Sequence, residues 1–219
     1  MLTAEQVHLS FGSAPVLAGA ELELRESEIV SIMGPSGSGK STMLACLAGL
    51  VRPQSGRVLF QGQDLATLSE NRRSALRLRQ FGFVFQFGDL VPELTLVENV
   101  ELPLRFANTK PAAARRQAME ALDLLDIAEL ADRRSFAISG GELQRAAVAR
   151  ALVHSPAVVF ADEPTGALDD ANGRVVLDLF LHAAKVRQAS IVLATHDPEV
   201  AQVATRRFAM REGRLEVQQ

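Results

Sequence analysis

The chain has 219 residues, of which 47% are hydrophobic and 22% charged, and its formal net charge is −3. This composition is ordinary for a soluble globular domain, and the slight negative charge excludes a basic field that would draw the protein to nucleic acid or lipid. The single cysteine, Cys46, excludes an internal disulfide and suits a reducing compartment. No basic run leads into an apolar stretch at the N-terminus, and no window reaches the roughly 18 to 20 apolar residues of a membrane span. We therefore expect a cytoplasmic protein.

Strand and helix patterns alternate along the chain. Alternation of apolar and polar residues predicts two half-exposed strands, joined by a turn at GSAP, at 2–10 and 20–25. Short apolar runs predict further strands at 28–34, 56–62, 156–162 and 189–197. Apolar residues at helical spacing predict helices at 40–50, 69–80, 111–130 and 172–187. The segment 206–217 is typical of a hairpin around Glu212 and Gly213. Buried strands that alternate with helices favour an α/β fold with a parallel sheet.

The strongest chemical motif is GPSGSGKST, which matches G-x-x-x-x-G-K-[ST] and lies between a predicted buried strand and a predicted helix. Glycines in this loop let backbone N–H groups wrap the phosphates of a nucleotide. Lys40 would pair with the β- and γ-phosphates, Ser41 would supply a hydroxyl to Mg²⁺, and Thr42 would touch the α-phosphate. The predicted ATP-binding residues of this loop are Gly34, Pro35, Ser36, Gly37, Ser38, Gly39, Lys40, Ser41 and Thr42.

Two carboxylates follow a second buried strand, in AVVFADEP at 157–164. Asp162 stands where a strand carries a carboxylate to the Mg²⁺ beside a phosphate loop. Glu163 comes directly after it and could polarise the attacking water as a general base. The alternative is that the two carboxylates merely cap a strand at the surface.

A second helix start of the kind that binds anions lies in ISGGELQRAAVARAL, at 138–152. The leading N–H groups of a helix have no partner inside it, and the peptide dipoles leave partial positive charge there. Ser139, Gly140 and Gly141 open this helix, but no lysine follows them. Such a start suits a phosphate that is already held by another site.

Six motifs in one order resemble the nucleotide-binding subunit of an ATP-binding-cassette transporter, nearly from end to end of the chain. They are the phosphate loop, Gln86 in FVFQFGDL, the signature motif ISGGE at 138–142, VVFADEP, GALD at 166–169, and His196 in ATHDPEV. The resemblance implies an α/β fold: a P-loop NTPase core with a mostly parallel sheet, an N-terminal antiparallel β subdomain and a small α-helical subdomain. It implies one domain over residues 1–219, with residues 1–85 and 155–219 forming the core with its β subdomain, and about 86–154 the helical subdomain.

The family's residue roles carry over to matching positions of this chain. Phe11 would lie against the adenine ring, as phenylalanine in place of the commoner tyrosine, and His196 would contact the γ-phosphate and hold the water and Glu163 in line. Gln86 would sense Mg²⁺ and the γ-phosphate. The implied catalytic residues are Glu163, His196, Gln86 and Lys40. The implied metal ligands are Ser41, Gln86 and Asp162, and Phe11, Gln86, Asp162 and His196 join the phosphate loop in binding ATP.

The resemblance also implies the partners. Two subunits would pack head to tail as a homodimer, with ATP and Mg²⁺ as the bound nucleotide and metal. The signature helix of one subunit would cover the ATP of the other, and Asp169 would order the interface. The residues that would act in trans are Ser139, Gly140, Gly141, Glu142 and Asp169. Integral membrane permease subunits, two in number, would hold this peripheral protein at the cytoplasmic face of the cell membrane, and nucleic acid is not expected as a partner.

Several motif residues that differ from the family's most familiar sequence point to one subgroup of the family. Ile138 and Glu142 in the signature, Gly166 and the segment ENVELPL at 98–104 resemble one subgroup, the ATPases of lipoprotein release, macrolide efflux, antimicrobial-peptide resistance and haem export. We therefore expect an exporter of amphipathic cargo, and favour haem because this chain carries no fused permease. The alternative is an ATP-driven regulatory switch that acts through a similar permease on cell-wall enzymes. The short spacing between the phosphate loop and the signature in this chain, and its slight negative charge, do not fit the ATP-binding-cassette proteins of DNA repair or translation.

The segment 85–104 is unusually apolar for a loop and helix start that should be exposed. We expect Phe87, Leu90, Leu94 and Leu96 to form a groove for a partner helix of the permease, because exposed apolar clusters mark contacts. The alternative is that some of them belong to the core of the helical subdomain.

Overall fold

The computed structural model describes residues 1–218. Its strands are β1 (Leu2–Phe11), β2 (Ala14–Leu24), β3 (Ile29–Met33), β4 (Ser55–Phe60), β5 (Gln63–Asp64), β6 (Phe81–Val84), β7 (Val158–Asp162), β8 (Ser190–Thr195), β9 (Arg206–Arg211) and β10 (Arg214–Gln218). Its α-helices are α1 (Lys40–Leu47), α2 (Glu70–Gln80), α3 (Leu96–Phe106), α4 (Pro111–Leu124), α5 (Gly140–Leu152), α6 (Asp170–Val186) and α7 (Pro198–Ala201). Short 3₁₀ turns lie at Leu65–Thr67, Ala128–Leu130 and Ser135–Ala137.

The chain folds into two compact units. The first contains residues 1–77 together with the C-terminal part from Ser190, and the second contains Leu78–Ala189. The predicted fold class, α/β with a largely parallel sheet and an N-terminal antiparallel sheet, is confirmed. The predicted boundaries of core and helical subdomain do not coincide with these two units and stay a prediction.

The first unit opens with an antiparallel sheet in the order β2-β1-β4-β5. In β1 the buried residues change from even to odd positions, because Leu2 and Ala4 are followed by Val7. An irregularity in the pairing at this point and a φ of +46° at Gln6 mark a β-bulge. The extra residue keeps the apolar side chains on the core face, since a one-residue slip would turn them to solvent. Gly56 of β4 is required here, because a Cβ on it would lie 2.1 Å from the Gln6 carbonyl oxygen.

The same unit contains the central strand β3, which pairs in parallel with β8 on one side and β9 on the other. Strand β10 then pairs antiparallel with β9 across the turn at Glu212 and Gly213, which confirms the predicted hairpin. Helix α1 packs against β8 and buries Cys46. Burial raises the pKa of the Cys46 thiol to about 11, so this cysteine is an unreactive core residue.

The second unit is built on two parallel strands, β6 and β7, with α5 packed against β6. Three aromatic rings fill the core beside them. Phe81 meets Phe160 edge-on with ring centroids 5.2 Å apart, and Phe83 stacks on Phe160 at 5.7 Å. Helices α3, α4 and α6 all pack on α5, so the helix that begins at the signature motif is the centre of this unit.

Two sequence-based predictions needed correction, and strand β6 was missed. The helix predicted over 111–130 ends at Leu124, because Asp126 adopts a left-handed backbone with φ +56° and only a 3₁₀ turn follows. The helix predicted over 40–50 ends at Leu47, before Gly49 with φ +65°. Strand β6 was not predicted, since its four residues are too few to show a period of their own.

Gly82 of β6 tests the close approach of α5. A Cβ on Gly82 would lie 2.2 Å from the carbonyl oxygen of Ala151, a backbone atom that cannot move aside alone. We predict that Gly82→Ala lowers the free energy of unfolding by about 1–3 kcal/mol, as overpacking does. Gly173 of α6 is the matched control, because a Cβ there would make an ordinary 3.5 Å contact with Thr165. Gly173→Ala should be neutral or stabilise the helix by about 0.5–1 kcal/mol. Equal urea denaturation midpoints for the two variants would show that the packing of β6 on α5 is looser than described.

Candidate functional site

The predicted phosphate loop connects β3 to α1 in the first unit. Gly37 and Gly39 have φ values of +80° and +104°, so both positions need glycine. Lys40 begins α1 and is largely buried, and its Nζ donates hydrogen bonds to the carbonyl oxygens of Gly34 at 2.8 Å and Pro35 at 3.2 Å. The loop therefore folds around the ammonium group that would meet the phosphates.

Two further features of the loop fit a nucleotide. The Ser38 hydroxyl is buried and finds no hydrogen-bond partner within residues 1–218, which leaves a polar atom for a ligand to satisfy. Ser41 is exposed one residue after Lys40. Nowhere in the described part of the chain do three or more His, Cys, Asp or Glu side chains group to hold a metal ion. Mg²⁺ needs no such group when it binds one or two protein oxygens and substrate phosphates.

Two other predicted residues belong to the first unit. Phe11 ends β1 at the turn to β2, and its ring is largely exposed, as stacking on a flat base requires. His196 directly follows β8 and is exposed.

In the second unit, β7 ends at Asp162, and Glu163 begins the turn after it. Glu163 has a φ of +48°, a conformation that is uncommon for a residue with a side chain and occurs often at functional sites. The Gly166 N–H donates to the Glu163 carbonyl at 3.0 Å and closes the turn. A Cβ on Gly166 would lie 3.1 Å from Nε2 of Gln86 and 3.3 Å from Cβ of Glu163. The structure thus brings Gln86 and Glu163 together at a glycine that leaves room for the amide.

The signature motif forms the start of α5. Ser139 is the N-cap, and its N–H and its hydroxyl both donate to Oε2 of Glu142 at 2.7 Å. The Glu142 N–H in turn donates to the Ser139 hydroxyl, which completes a capping box. Hydrogen bonds from the Ser139 backbone, then from its side chain, lower the pKa of the Glu142 carboxyl. Ser139 and Gly140 are exposed, and a Cβ on Gly140 would touch only Leu168, at 3.4 Å.

A second helix start lies beside the signature. Asp169 caps α6 by accepting hydrogen bonds from the N–H of Asn172 at 3.0 Å and from its Nδ2 at 2.6 Å. These bonds, the backbone one first, lower the pKa of the Asp169 carboxyl. A Cβ on Gly141 would lie 3.7 Å from Oδ1 of Asn172, so the starts of α5 and α6 are neighbours. The predicted in-trans residues therefore form one cluster.

The segment after Gln86 is held by polar side chains that the sequence analysis did not single out. Gln144 of α5 donates to the Phe85 carbonyl at 2.9 Å, and Arg150 of α5 donates to the carbonyls of Gly88 and Asp89 at 2.8 Å each. Burial, partly offset by Asp89, lowers the pKa of the Arg150 guanidinium. The signal that could have found Gln144 is a polar residue at a core position of an apolar helix.

On the other side of this segment lies Asn99 of α3, which is fully buried. Its Oδ1 accepts a hydrogen bond from the Val91 N–H, and its Nδ2 donates to the carbonyls of Val91 and Thr95. One expectation for this region was wrong. Leu96 is fully buried and belongs to the core, because it lies on the inward face of the first turn of α3. Leu90 and Leu94 are half-buried, and Phe87 is 70% exposed.

Comparison with known proteins identifies the family. Residues 17–166 match the family model described as ABC transporter. The chain belongs to the ABC transporter family. The resemblance inferred from the six motifs is therefore confirmed, and as an ABC transporter ATPase the chain is an enzyme that hydrolyses ATP.

Several relatives of this ABC ATPase match over nearly its whole length. The lipoprotein-releasing system ATP-binding protein LolD of Bacteroides fragilis is 40% identical over 215 residues, covering 98% of this chain and 100% of that protein. The macrolide export ATP-binding/permease protein MacB of Syntrophobacter fumaroxidans is 43% identical over 204 residues, or 92% of this chain and 28% of that protein. A solved ATP-binding cassette, dimeric in a post-hydrolysis state with ADP and Pi, superposes with a TM-score of 0.88 at 35% identity, covering 99% of this chain and 97% of that one.

Family membership does not assign the individual residues of this ABC ATPase, whose roles stay predictions. Glu163 gives the sharpest test. Glu163→Gln keeps the shape of the side chain but cannot accept a proton, so we expect ATP binding to persist and turnover to fall by about two to four orders of magnitude. Steady-state ATPase assays beside a nucleotide-binding measurement check this. Asp170→Asn, an exposed carboxylate in the first turn of α6, is the control and should keep turnover. Turnover near the wild-type rate in Glu163→Gln would remove Glu163 from the catalytic role.

Proposed function

We propose that this ABC ATPase is the nucleotide-binding subunit of an export complex. Two copies close around ATP and drive a separate membrane permease, and the permease moves an amphipathic cargo out of the cytoplasm. The observation that carries the proposal is the start of α5, where an exposed serine and two glycines open a phosphate-seeking helix that has no lysine. Such a start acts best on a phosphate held by a second copy of the phosphate loop.

In each copy, the phosphate loop with Lys40 binds the triphosphate. Ser139, Gly140 and Gly141 of the partner copy then cover it. A two-fold symmetric pair contains two such shared sites, because each copy contributes one loop and one signature helix. The solved relative that is dimeric with ADP and Pi supports this arrangement.

Hydrolysis is assigned to Glu163 as the general base, with His196 and Gln86 as its partners at the γ-phosphate. The left-handed backbone of Glu163 and the contact of Gln86 with the Glu163–Gly166 turn support a role for both residues at one reacting group. Mg²⁺, predicted to bind Ser41, Gln86 and Asp162, would offset the negative charge of the phosphates. Loss of the γ-phosphate removes the bridge between copies, so the pair opens after turnover.

The permease contact is assigned to the exposed apolar surface of the segment 85–94, with Phe87 as its most exposed member. Gln86 lies in this segment, so one movable element would meet both the nucleotide and the partner, as coupling requires. No helix within residues 1–218 is long and apolar enough to cross a membrane. The proposed contact around Phe87 would let two permease subunits hold the protein at the cytoplasmic face of the membrane.

The cargo is proposed as an amphipathic molecule, and the names of the relatives favour a lipoprotein or a macrolide-like drug. Haem, which the sequence analysis favoured, has no counterpart among these names. The switch acting on cell-wall enzymes differs from export in one measurable respect, because no cargo would copurify with the whole complex or leave the membrane on ATP addition.

The shared site makes a testable prediction. Ser139→Arg and Lys40→Ala subunits should each be inactive, because the first cannot cover its partner's ATP and the second cannot hold its own. When the two mutants are mixed in equal amounts, half of the dimers contain one subunit of each kind. Each of these mixed dimers has one site of two with both residues intact, so about a quarter of the wild-type ATPase activity should return. An equal mixture of wild-type and Lys40→Ala subunits shows whether one intact site suffices. Its wild-type homodimers alone give about a quarter of the activity, and mixed dimers with one working site raise it to about half. If this control exceeds a quarter and the two mutants together stay inactive, although crosslinking proves mixed dimers, the signature does not act in trans.

The permease surface makes a second prediction. Phe87→Glu should keep the fold and nucleotide binding, because the ring is 70% exposed, but should weaken copurification of the permease at least about tenfold. Phe106→Glu is the matched control, since Phe106 is a 68% exposed phenylalanine of the same unit outside the segment. Pull-down of the permease from detergent-solubilised membranes measures both variants. Equal permease recovery with the two would place the contact surface elsewhere.

A further inference from the structure

Two capping boxes of the second unit have the same chemistry. At the start of α3 the N–H and hydroxyl of Thr95 donate to Oε2 of Glu98 at 2.8 and 3.0 Å. At the start of α5 the N–H and hydroxyl of Ser139 donate to Oε2 of Glu142, both at 2.7 Å. Each glutamate also returns its own N–H to the capping hydroxyl. If both boxes served only to cap their helices, the two glutamates would therefore have the same role.

The surroundings of the two boxes differ. In α3 the cap is followed by Leu96 and Val97, which are fully buried and close the first turn to ligands. In α5 the cap is followed by Gly140 and Gly141, which leave the first turn open. An anion can therefore approach the donors of Ser139, and it cannot approach those of Thr95 in the same way.

An anion that reaches Ser139 meets an acceptor already in place. A serine hydroxyl has one proton, so it cannot donate to a phosphate oxygen and to Glu142 at the same time. The competing carboxylate is also negatively charged, as an ordinary glutamate is at neutral pH, and the hydrogen bonds from Ser139 lower its pKa and so stabilise the ionised form. The phosphate must therefore displace a charge-assisted hydrogen bond and come close to a like charge.

We propose that Glu142 is a positioning residue that competes with the partner subunit's ATP for the donors of Ser139 and so limits how tightly the two copies close. The inference rests on the proposed in-trans role of the signature helix. The carboxylate keeps the open subunit's helix start satisfied, and it weakens the closed pair enough for it to open after each turnover. Glutamine at this position would keep the cap and weaken the competition, because its neutral amide oxygen accepts the hydrogen bonds of Ser139 less strongly than a carboxylate does and adds no like charge.

The test uses Glu163→Gln as the background, so that ATP is bound and not consumed. Glu142→Gln is added to one sample and Glu98→Gln to another, and the ATP concentration for half-maximal dimer is measured by sedimentation at low and high salt. We expect Glu142→Gln to lower this concentration about three- to tenfold, with the difference shrinking as salt screens the charge. Glu98→Gln, which makes the same chemical change in the closed box, should leave it unchanged. In the otherwise wild-type chain, Glu142→Gln should lower KM for ATP without raising kcat.

Two other results would overturn the proposal. An unchanged or higher half-maximal ATP concentration in Glu142→Gln overturns the proposal, and so does an equal shift in Glu98→Gln, which would indicate a general charge effect. Thermal midpoints of the two variants should agree, because glutamine serves in both capping boxes. Ser139→Arg in the same background separates the two levels of the argument. If that variant dimerises at the same ATP concentration as Glu163→Gln alone, the in-trans role itself fails, and not only the role of Glu142.

Discussion

Unsatisfied N–H groups at helix starts are the feature on which the account of this protein depends. Helix α1 begins at the phosphate loop, whose carbonyls hold the Lys40 ammonium in place for phosphates. Helix α5 begins with the same affinity for anions but with no cation, and its donors are occupied by the carboxylate of Glu142. A helix start of the first kind can hold a nucleotide alone. We propose that one of the second kind completes a site that another copy has already formed.

The second start is also joined to the surface proposed for the permease. Gln144 and Arg150, both on α5, hold the carbonyls of Phe85, Gly88 and Asp89, and a Cβ on Gly88 would lie 2.2 Å from Cδ2 of Leu143. The loop that carries Gln86 therefore rests on the signature helix through three hydrogen bonds, two of which are partly buried. A displacement of this loop by a partner would move α5, and closure of α5 on ATP would in turn move the loop. Within the second unit, this contact gives coupling a physical route.

Local patterns predicted much of this from the sequence. The phosphate loop, the carboxylates after β7 and the glycines of the signature each rely on residue types that the chemistry requires at fixed spacing, so they were found without a structure. Features that depend on packing were not. Leu96 is as apolar as Leu90, and only the direction of the first turn of α3 separates a core residue from a half-exposed one. The Ser139–Glu142 capping box likewise depends on side-chain direction, and the hydrogen bond of Arg150 to Gly88 depends on a contact between residues that are distant in sequence.

The central claim, that the signature helix covers the ATP of the partner copy, is tested most directly by photolabelling this helix with a bound ATP analogue. Wild-type subunits are mixed with isotopically heavy Lys40→Ala subunits and an ATP analogue that carries a photoreactive group on its γ-phosphate. Trypsin then releases the peptide Ser135–Arg145, which contains the signature, and its mass shows which subunit was labelled. The account predicts label on the heavy peptide, because the analogue held by a wild-type loop faces the signature of its partner. Label confined to the light peptide in proven mixed dimers would contradict it, since the helix would then serve the ATP of its own chain.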